Sequence, residues 1–277
     1  MMAITAAQVM ALRNKTGLGM MDCKKALTEA DGNEDLAIEI LRKKGLAKMA
    51  EKLQERTTEE GIIAMVRKDG SLGIVELLCE SAPVTTNEGF IQLANDIAEV
   101  VAANPEFATV EDLMAQTSPS AGTTLQGQLD ELFNRIREVF RVKRYMKVDG
   151  LCSSYLHHDH KSAVLLLLEE GNEELGRDIC MHIAAMKPQG LRAEDLDQSV
   201  IENERRIQLE LMNADPRNAN KPDEIKEKII NGSMGKFLAG KCLLSQPFVK
   251  DPSVTVEQFA NQNGLKITKF VHWMLGK

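Results

Sequence analysis

Aromatic side chains are scarce in this sequence: 8 Phe, 2 Tyr and 1 Trp make up 4% of 277 residues. So few ring faces exclude a base-stacking platform for single-stranded nucleic acid. Positive charge is also in deficit. Lys and Arg number 34 against 41 Asp and Glu, a formal net charge of −7, which excludes broad neutralisation of a phosphate backbone. No nucleic-acid partner is expected. The 5 Cys form an odd set without a C-x-x-C pair, which fits a reducing compartment better than a disulfide scaffold. The longest strongly apolar run, Ala163–Leu168, is far short of the ~20 residues that cross a bilayer and reads as a buried strand. Met1–Arg13 has neither a basic leading region nor a small-residue cleavage site, so no signal peptide is expected. These absences predict a cytoplasmic protein with no membrane partner. Nucleotide cradles are missing as well, since neither G-x-x-x-x-G-K-[ST] nor G-x-G-x-x-G follows a strand pattern.

What is present is apolar mass and methionine. Hydrophobic residues at 43% can fill real cores, and 14 Met supply soft apolar contact surface. Residues 5 to 45 predict three short helices in a small bundle. Thr5 caps the first, which carries Val9, Leu12 and Arg13 and stops at Gly17. Asp22 caps the second, with Cys23, Ala26, Leu27 and Ala30 on one side and an end at Asp31-Gly32. Asn33 caps the third, with Leu36, Ala37, Ile40 and Leu41 at helical spacing before Gly45. The charged stretch Lys43–Glu60 reads as a helical linker.

The remainder carries a weak internal repeat. Gly61–Arg67, a Lys68-Asp69-Gly70 turn and Gly73–Cys79 predict a hairpin, followed by a helix near Phe90–Ala103. About 90 residues later the order recurs as Leu151–Leu156, Ala163–Glu169 and Leu175–Met186. Gln116–Thr124 reads as a loop and Gln128–Val142 as a helix. From Ala193 to Lys241, two helical stretches separated by Asp215-Pro216 and Lys221-Pro222 predict an antiparallel helical hairpin. Lys241–Val249 and Leu265–Val271 read as returning strands or loops. The fold class is therefore α+β: residues 1–45 a helical module, 46–60 a linker, 61–147 and 148–277 the two halves of a duplicated β-hairpin/helix core, with the hairpin inserted at about 193–241.

Candidate chemistry is thin. His157-His158-Asp159-His160 is the best metal candidate, but no H-E-x-x-H or spaced Cys/His set completes a coordination sphere, and a solvated hairpin tip or partner contact is the preferred reading. Ser153 and Ser154 near His157 invite a triad, yet no G-x-S-x-G elbow is present. Cys79 and Cys180 follow apolar stretches and read as packing. No catalytic, cofactor-binding or metal residue is assigned. Met20 and Met21 fit either a bundle core or a partner surface. Ser81-Ala82-Pro83-Val84, after a strand and ahead of a helix, reads locally as a proline-terminated strand exit.

Four collinear motifs place these pieces together. The run Thr16-Gly17-Leu18-Gly19-Met20-Met21-Asp22-Cys23-Lys24-Lys25-Ala26-Leu27 resembles the signature of the elongation factor Ts family, the guanine-nucleotide exchange factors of elongation factor Tu. Cys79-Glu80 with Asn87-Glu88-Gly89-Phe90, Met181-His182-Ile183-Ala184-Ala185 with Lys187-Pro188, and Ser245-Gln246-Pro247-Phe248-Val249 match in order. The resemblance covers nearly the whole chain. It implies an N-terminal module similar to a ubiquitin-associated domain, a duplicated core and a coiled-coil hairpin. It also implies binding to GDP-bound and nucleotide-free elongation factor Tu and expulsion of GDP by disturbing the phosphate and Mg²⁺ site. The protein itself would then be no enzyme and would need no cofactor, and a homodimer or 2:2 assembly is compatible with it.

By the same resemblance, Arg13, Met20, Met21 and Lys24 would contact the GTPase domain, while His157 and Val249 would lie on the opposite part of the interface. The loop Ser81-Ala82-Pro83-Val84 would face the GTPase where the family commonly has Thr-Asp-Phe-Val. Ala82 removes a hydrogen-bond acceptor and Pro83 most of a large apolar wedge, though Pro83 keeps a rigid apolar projection. The longer helical tail of some members is not matched after Ile267–Val271. Two other readings stand beside this one. An exchange-deficient binding protein of the same fold would follow from the altered loop, and a ubiquitin-associated-type adaptor from the bundle alone. A metal-dependent hydrolase built on His157–His160 would require stoichiometric metal.

Overall fold

The computed structural model describes residues 4–16, 18–104, 107–215, 218 and 221–277, with backbone alone over 46–55. The expected stops at Gly17 and Pro216 lie outside the described residues. The chain divides into two compact units, one of residues 1–150, 158–161 and 274–277, the other of 151–157 and 162–273. Helices and small antiparallel sheets alternate in both, an α+β architecture.

The first unit opens with three helices, α1 (Ala6–Thr16), α2 (Met20–Glu29) and α3 (Glu34–Glu55). Thr5 and Gln8 exchange hydrogen bonds at the start of α1: the Thr5 hydroxyl accepts from Gln8 N at 3.3 Å, and Gln8 Oε1 accepts from Thr5 N at 2.9 Å. Asp22, expected as the cap of α2, lies inside its first turn instead. Cys23 N already donates to Gly19 O at 3.0 Å, so the helix starts at Met20 and the Asp22 carboxylate favours the positive end of the helix dipole. Asn33 caps α3 as expected, its Oδ1 accepting from Leu36 N at 3.1 Å. Val9, Leu12, Leu18, Cys23, Leu27 and Leu41 close a common core.

Gly45 does not end α3. The helix runs through it because Gly45 is a contact notch: a Cβ there would lie 2.0 Å from Asn134 Oδ1 on a later helix. Helical continuity costs about 1 kcal/mol at a glycine, and close helix–helix approach offsets it.

Next comes a sheet of order β1-β2-β3, built from β1 (Glu60–Lys68), β2 (Ser71–Cys79) and β3 (Arg141–Val148). Asp69 at φ 49° and Gly70 at φ 83° make the two-residue turn between β1 and β2. α4 (Glu88–Ala103) packs its apolar face on the sheet, capped by Asn87. The contact is closest at Gly73 of β2, where a Cβ would lie 2.0 Å from Ala98 O and 2.7 Å from Ala102 N. Short α5 (Val110–Met114) and α6 (Leu125–Ile136) complete this core. Buried Asp96 of α4 accepts from Ser118, Ser120, Gln92 and Gln128, which pins the expected 116–124 loop.

The helix expected over Gln128–Val142 is split. α6 ends at Ile136, capped by Arg137, whose φ of 68° is left-handed, and the chain then enters β3. Leu132, Ile136, Val139 and Phe140 keep helical spacing across the break, so periodicity alone hides it.

In the second unit β4 (Cys152–Leu156), β5 (Ser162–Glu170) and β8 (Lys266–Met274) form a sheet in that order, with α7 (Glu173–Met186) against it. The hairpin-plus-helix order thus recurs, as the repeat predicts. α8 (Gln198–Ala214) and α9 (Asp223–Lys241) pack through Ile201, Met212, Ile230, Met234 and Phe237. A two-stranded ribbon, β6 (Pro247–Phe248) and β7 (Asp251–Thr255), leads into α10 (Val256–Gln262). α10 was not foreseen, although Thr255 and Gln258 form a reciprocal cap at its start.

All five cysteines are buried, and none is in a disulfide. Burial pushes the Cys79 thiol up to about 12, aided by the nearby Glu138 and Glu60 carboxylates, and burial raises Cys180 as well.

Because backbone atoms of α4 cannot yield at Gly73, Gly73→Ala is expected to cost about 3 kcal/mol. A lowered urea midpoint at unchanged slope would register it; an unshifted midpoint would show that the sheet and helix slide apart freely.

Candidate functional site

In the first unit the exposed candidates cluster at the start of α2. Met20 is 47% and Met21 64% exposed, while Cys23, Ala26 and Leu27 of the same helix are buried. The open alternative between core and surface is thereby decided for both methionines: they stand outside the bundle core. Arg13 on α1 and Lys24 on α2 are also exposed.

The second candidate loop leaves β2. Ala82–Thr86 forms a single 3-10 turn with extended Ser81 as its cap, Ala82 and Pro83 exposed, and Val84 turned into the core. Two carboxylates hold it in a crossed arrangement. Glu80, before the loop, accepts from Val139 N at 2.7 Å, and Glu138, before β3, accepts from Ser81 N at 3.0 Å and from the Ser81 hydroxyl. Arg56 pairs with Glu80 at 2.7 Å, offsetting its charge. Adjacent Arg137 reaches Asp22 at 3.0 Å, so the α2 signature and the 81–84 loop are tied to one three-residue segment, Arg137–Val139. Sequence reasoning missed Glu80, Arg137 and Glu138 as supports. Only Glu80 had a local signal, in the Cys79-Glu80 motif.

The four-residue patch His157–His160 is not simply a solvated tip. Within the first unit, His160 O accepts from Ile63 N of β1 at 2.7 Å, its Nδ1 lies 3.3 Å from Ile63 O, and Lys161 pairs with Glu60 at 3.1 Å. Among the described residues, no group of three or more His, Cys, Asp or Glu is placed to hold a metal ion.

In the second unit, half-buried His157 closes the β4–β5 turn by donating its N–H to Ser162 O at 2.9 Å, and its ring meets Tyr155 edge-on at 6.1 Å. Ser153 is buried, its hydroxyl donating to Glu173 O at 2.8 Å at the start of α7. That bond gives it a structural task in place of the triad reading. Val249 is 44% exposed, beside Phe248 at 1%. Phe248 stacks on Phe259 of α10 at 4.3 Å. Behind Val249 sits fully buried His182 of α7, whose Nδ1 is 3.2 Å from Val249 N and whose Nε2 is 2.8 Å from Gln246 Oε1. Burial lowers the pKa of His182, and burial with nearby Lys187 lowers that of His272. His182 and Gln246 occur in the motifs, but sequence gave no reason to pair them.

Met20 and Met21 at the start of α2, with Ala82 and Pro83 on the clamped loop, thus present apolar side chains to solvent. No helix among the described residues is long and apolar enough to cross a membrane. A family profile described as Elongation factor TS matches residues 83–277. Proteins called Elongation factor Ts from Methylococcus capsulatus, Hydrogenovibrio crunogenus and Idiomarina loihiensis are 41%, 40% and 38% identical to it. Each alignment spans all of this chain and 93%, 92% and 92% of the respective relative. The chain belongs to the elongation factor Ts family, a family of translation elongation factors.

Acid stability follows from the two depressed histidines. Each is held neutral in the fold, so the unfolded chain binds the proton more readily once pH falls below about 6.5. Their contribution is whole above that pH and is lost as pH drops through it toward the folded pKa values. A urea midpoint lower at pH 5.5 than at pH 7.5 is expected, and equal midpoints would contradict it.

Proposed function

We propose that this protein binds elongation factor Tu in its GDP-bound and nucleotide-free forms and accelerates GDP release. The observation that carries the reading is the exposure of Met20 and Met21 within the family's most specific motif, on a helix whose other apolar residues are buried. Flexible thioether side chains adapt to an apolar pocket on a partner, and a rigid helix lowers the ordering cost of presenting them. Arg13 and Lys24 would add charge at the rim. Ala82 and Pro83 would form a second contact and Val249 with His157 a third.

Exchange needs no acid, base or nucleotide cradle on the factor. Factor and nucleotide each weaken the other's binding to the GTPase by the same ratio, so the factor sets no direction, and excess GTP does. The three-helix bundle, read as a ubiquitin-associated-like module of residues 1–45 joined by 46–60 to the two core halves, belongs to this proposal.

Added protein is expected to speed release of a fluorescent GDP analogue from elongation factor Tu. The double variant Met20→Ala, Met21→Ala should lower that second-order rate about tenfold or more while leaving the melting temperature nearly unchanged. No acceleration by saturating wild-type protein would defeat the reading. Ala82→Asp with Pro83→Phe restores an acceptor and an apolar wedge to a loop whose backbone is already clamped. A rate gain of about tenfold is expected. An unchanged rate would mean that the interface bypasses Ala82 and Pro83.

A further inference from the structure

The chain from Gln246 to Val249 has no regular structure of its own beyond the two residues of β6, yet its side chains alternate sharply between buried Phe248 and exposed Val249. Something must fix that alternation. Phe248 meets two rings, Phe259 at 4.3 Å and His182 at 5.9 Å between centroids. The Val249 N–H points inward to His182 Nδ1 at 3.2 Å. A nitrogen that accepts from a backbone N–H carries a lone pair, so the ring proton of neutral His182 sits on Nε2. That proton is donated to Gln246 Oε1 at 2.8 Å, which orients the Gln246 amide so that its Nε2 donates to Gly240 O of α9 at 3.1 Å. The chain of donors is consistent from end to end. Full burial keeps the ring neutral, the only state in which Nδ1 can accept.

We propose that His182 is a positioning residue of the exchange interface: its Nδ1 lone pair holds the Val249 amide and so sets the outward projection of the Val249 side chain. This rests on the reading of Val249 as a contact with the GTPase. Fully buried, the His182 side chain presents no surface to a partner. It acts by removing the freedom of a loop that would otherwise have to order on binding.

Two variants separate positioning from mere filling of the core. In His182→Asn the amide oxygen takes the place of Nδ1 and retains an acceptor for Val249 N–H. In His182→Gln the longer amide reaches the place of Nε2, keeping a donor for Gln246 and losing that acceptor. GDP-analogue release from elongation factor Tu, followed as a second-order rate, is the functional readout, and hydrogen exchange of the Val249 amide is the local one. His182→Gln should lower the rate roughly fivefold to tenfold, the size of one lost buried hydrogen bond, and speed Val249 amide exchange. His182→Asn should stay within about twofold of wild type on both measures. Val249→Ala should also lower the rate, and its double variant with His182→Gln should fall short of the product of the two effects. Equal losses in the Asn and Gln variants, or full additivity with Val249→Ala, would overturn the proposal. If Val249→Ala leaves the rate untouched while the amide still exchanges faster in His182→Gln, the failure lies with the contact reading, and the proposal falls with it. Should either variant fail to fold, imidazole ¹⁵N shifts of the wild-type protein decide: a proton on Nε2 supports the assignment, and a proton on Nδ1 overturns it.

Discussion

The crossing of Glu80 and Glu138 is the constraint on which the first unit turns. Each carboxylate lies just outside one strand and accepts from backbone N–H just outside the other, so the exit of β2 and the entry of β3 are fixed together. A strand exit without such acceptors would leave buried N–H groups unpaired, at about 1–3 kcal/mol each. Because Arg137 directly precedes Glu138 and reaches Asp22, the same segment orients the helical bundle's exposed methionines. That ion pair is partly exposed and worth little as stabilisation. Its effect is geometric.

The two compact units solve one problem by different chemistry. Each must hold an irregular loop beside a hairpin-plus-helix frame. The first uses carboxylate acceptors at a half-open seam, where Arg56 pairs with Glu80. The second uses a neutral imidazole, which can be buried completely because it carries no charge to desolvate.

Much of the architecture was legible because hydrophobic period and turn chemistry agreed. Asp69-Gly70 marked the first hairpin, the apolar run Ala163–Leu168 marked the buried strand β5, and prolines marked the break before α9. The failures have physical causes. β3 was lost because the residues on both sides of Arg137 keep a helical rhythm while its backbone turns left-handed without a glycine to announce it. Gly45 was misread because a helix-stopping residue and a helix-packing residue look the same until the neighbouring helix is known. The exposed contact candidates came from motif resemblance, not from periodicity, which left Met20 and Met21 undecided. Their supports, Glu138 and Arg137 above all, act across 57 and 115 positions of sequence and leave no local trace.

The inert state of the thiols has a practical side. With all five native cysteines buried, and those of Cys79 and Cys180 held firmly in the protonated form, the folded surface offers a maleimide nothing to attack. One cysteine introduced on the exposed face of α8 or α9 would therefore carry a dye at a single address, with no need to strip the native thiols first. The packing that keeps sulfur out of the chemistry makes the chain ready for labelling at one chosen position.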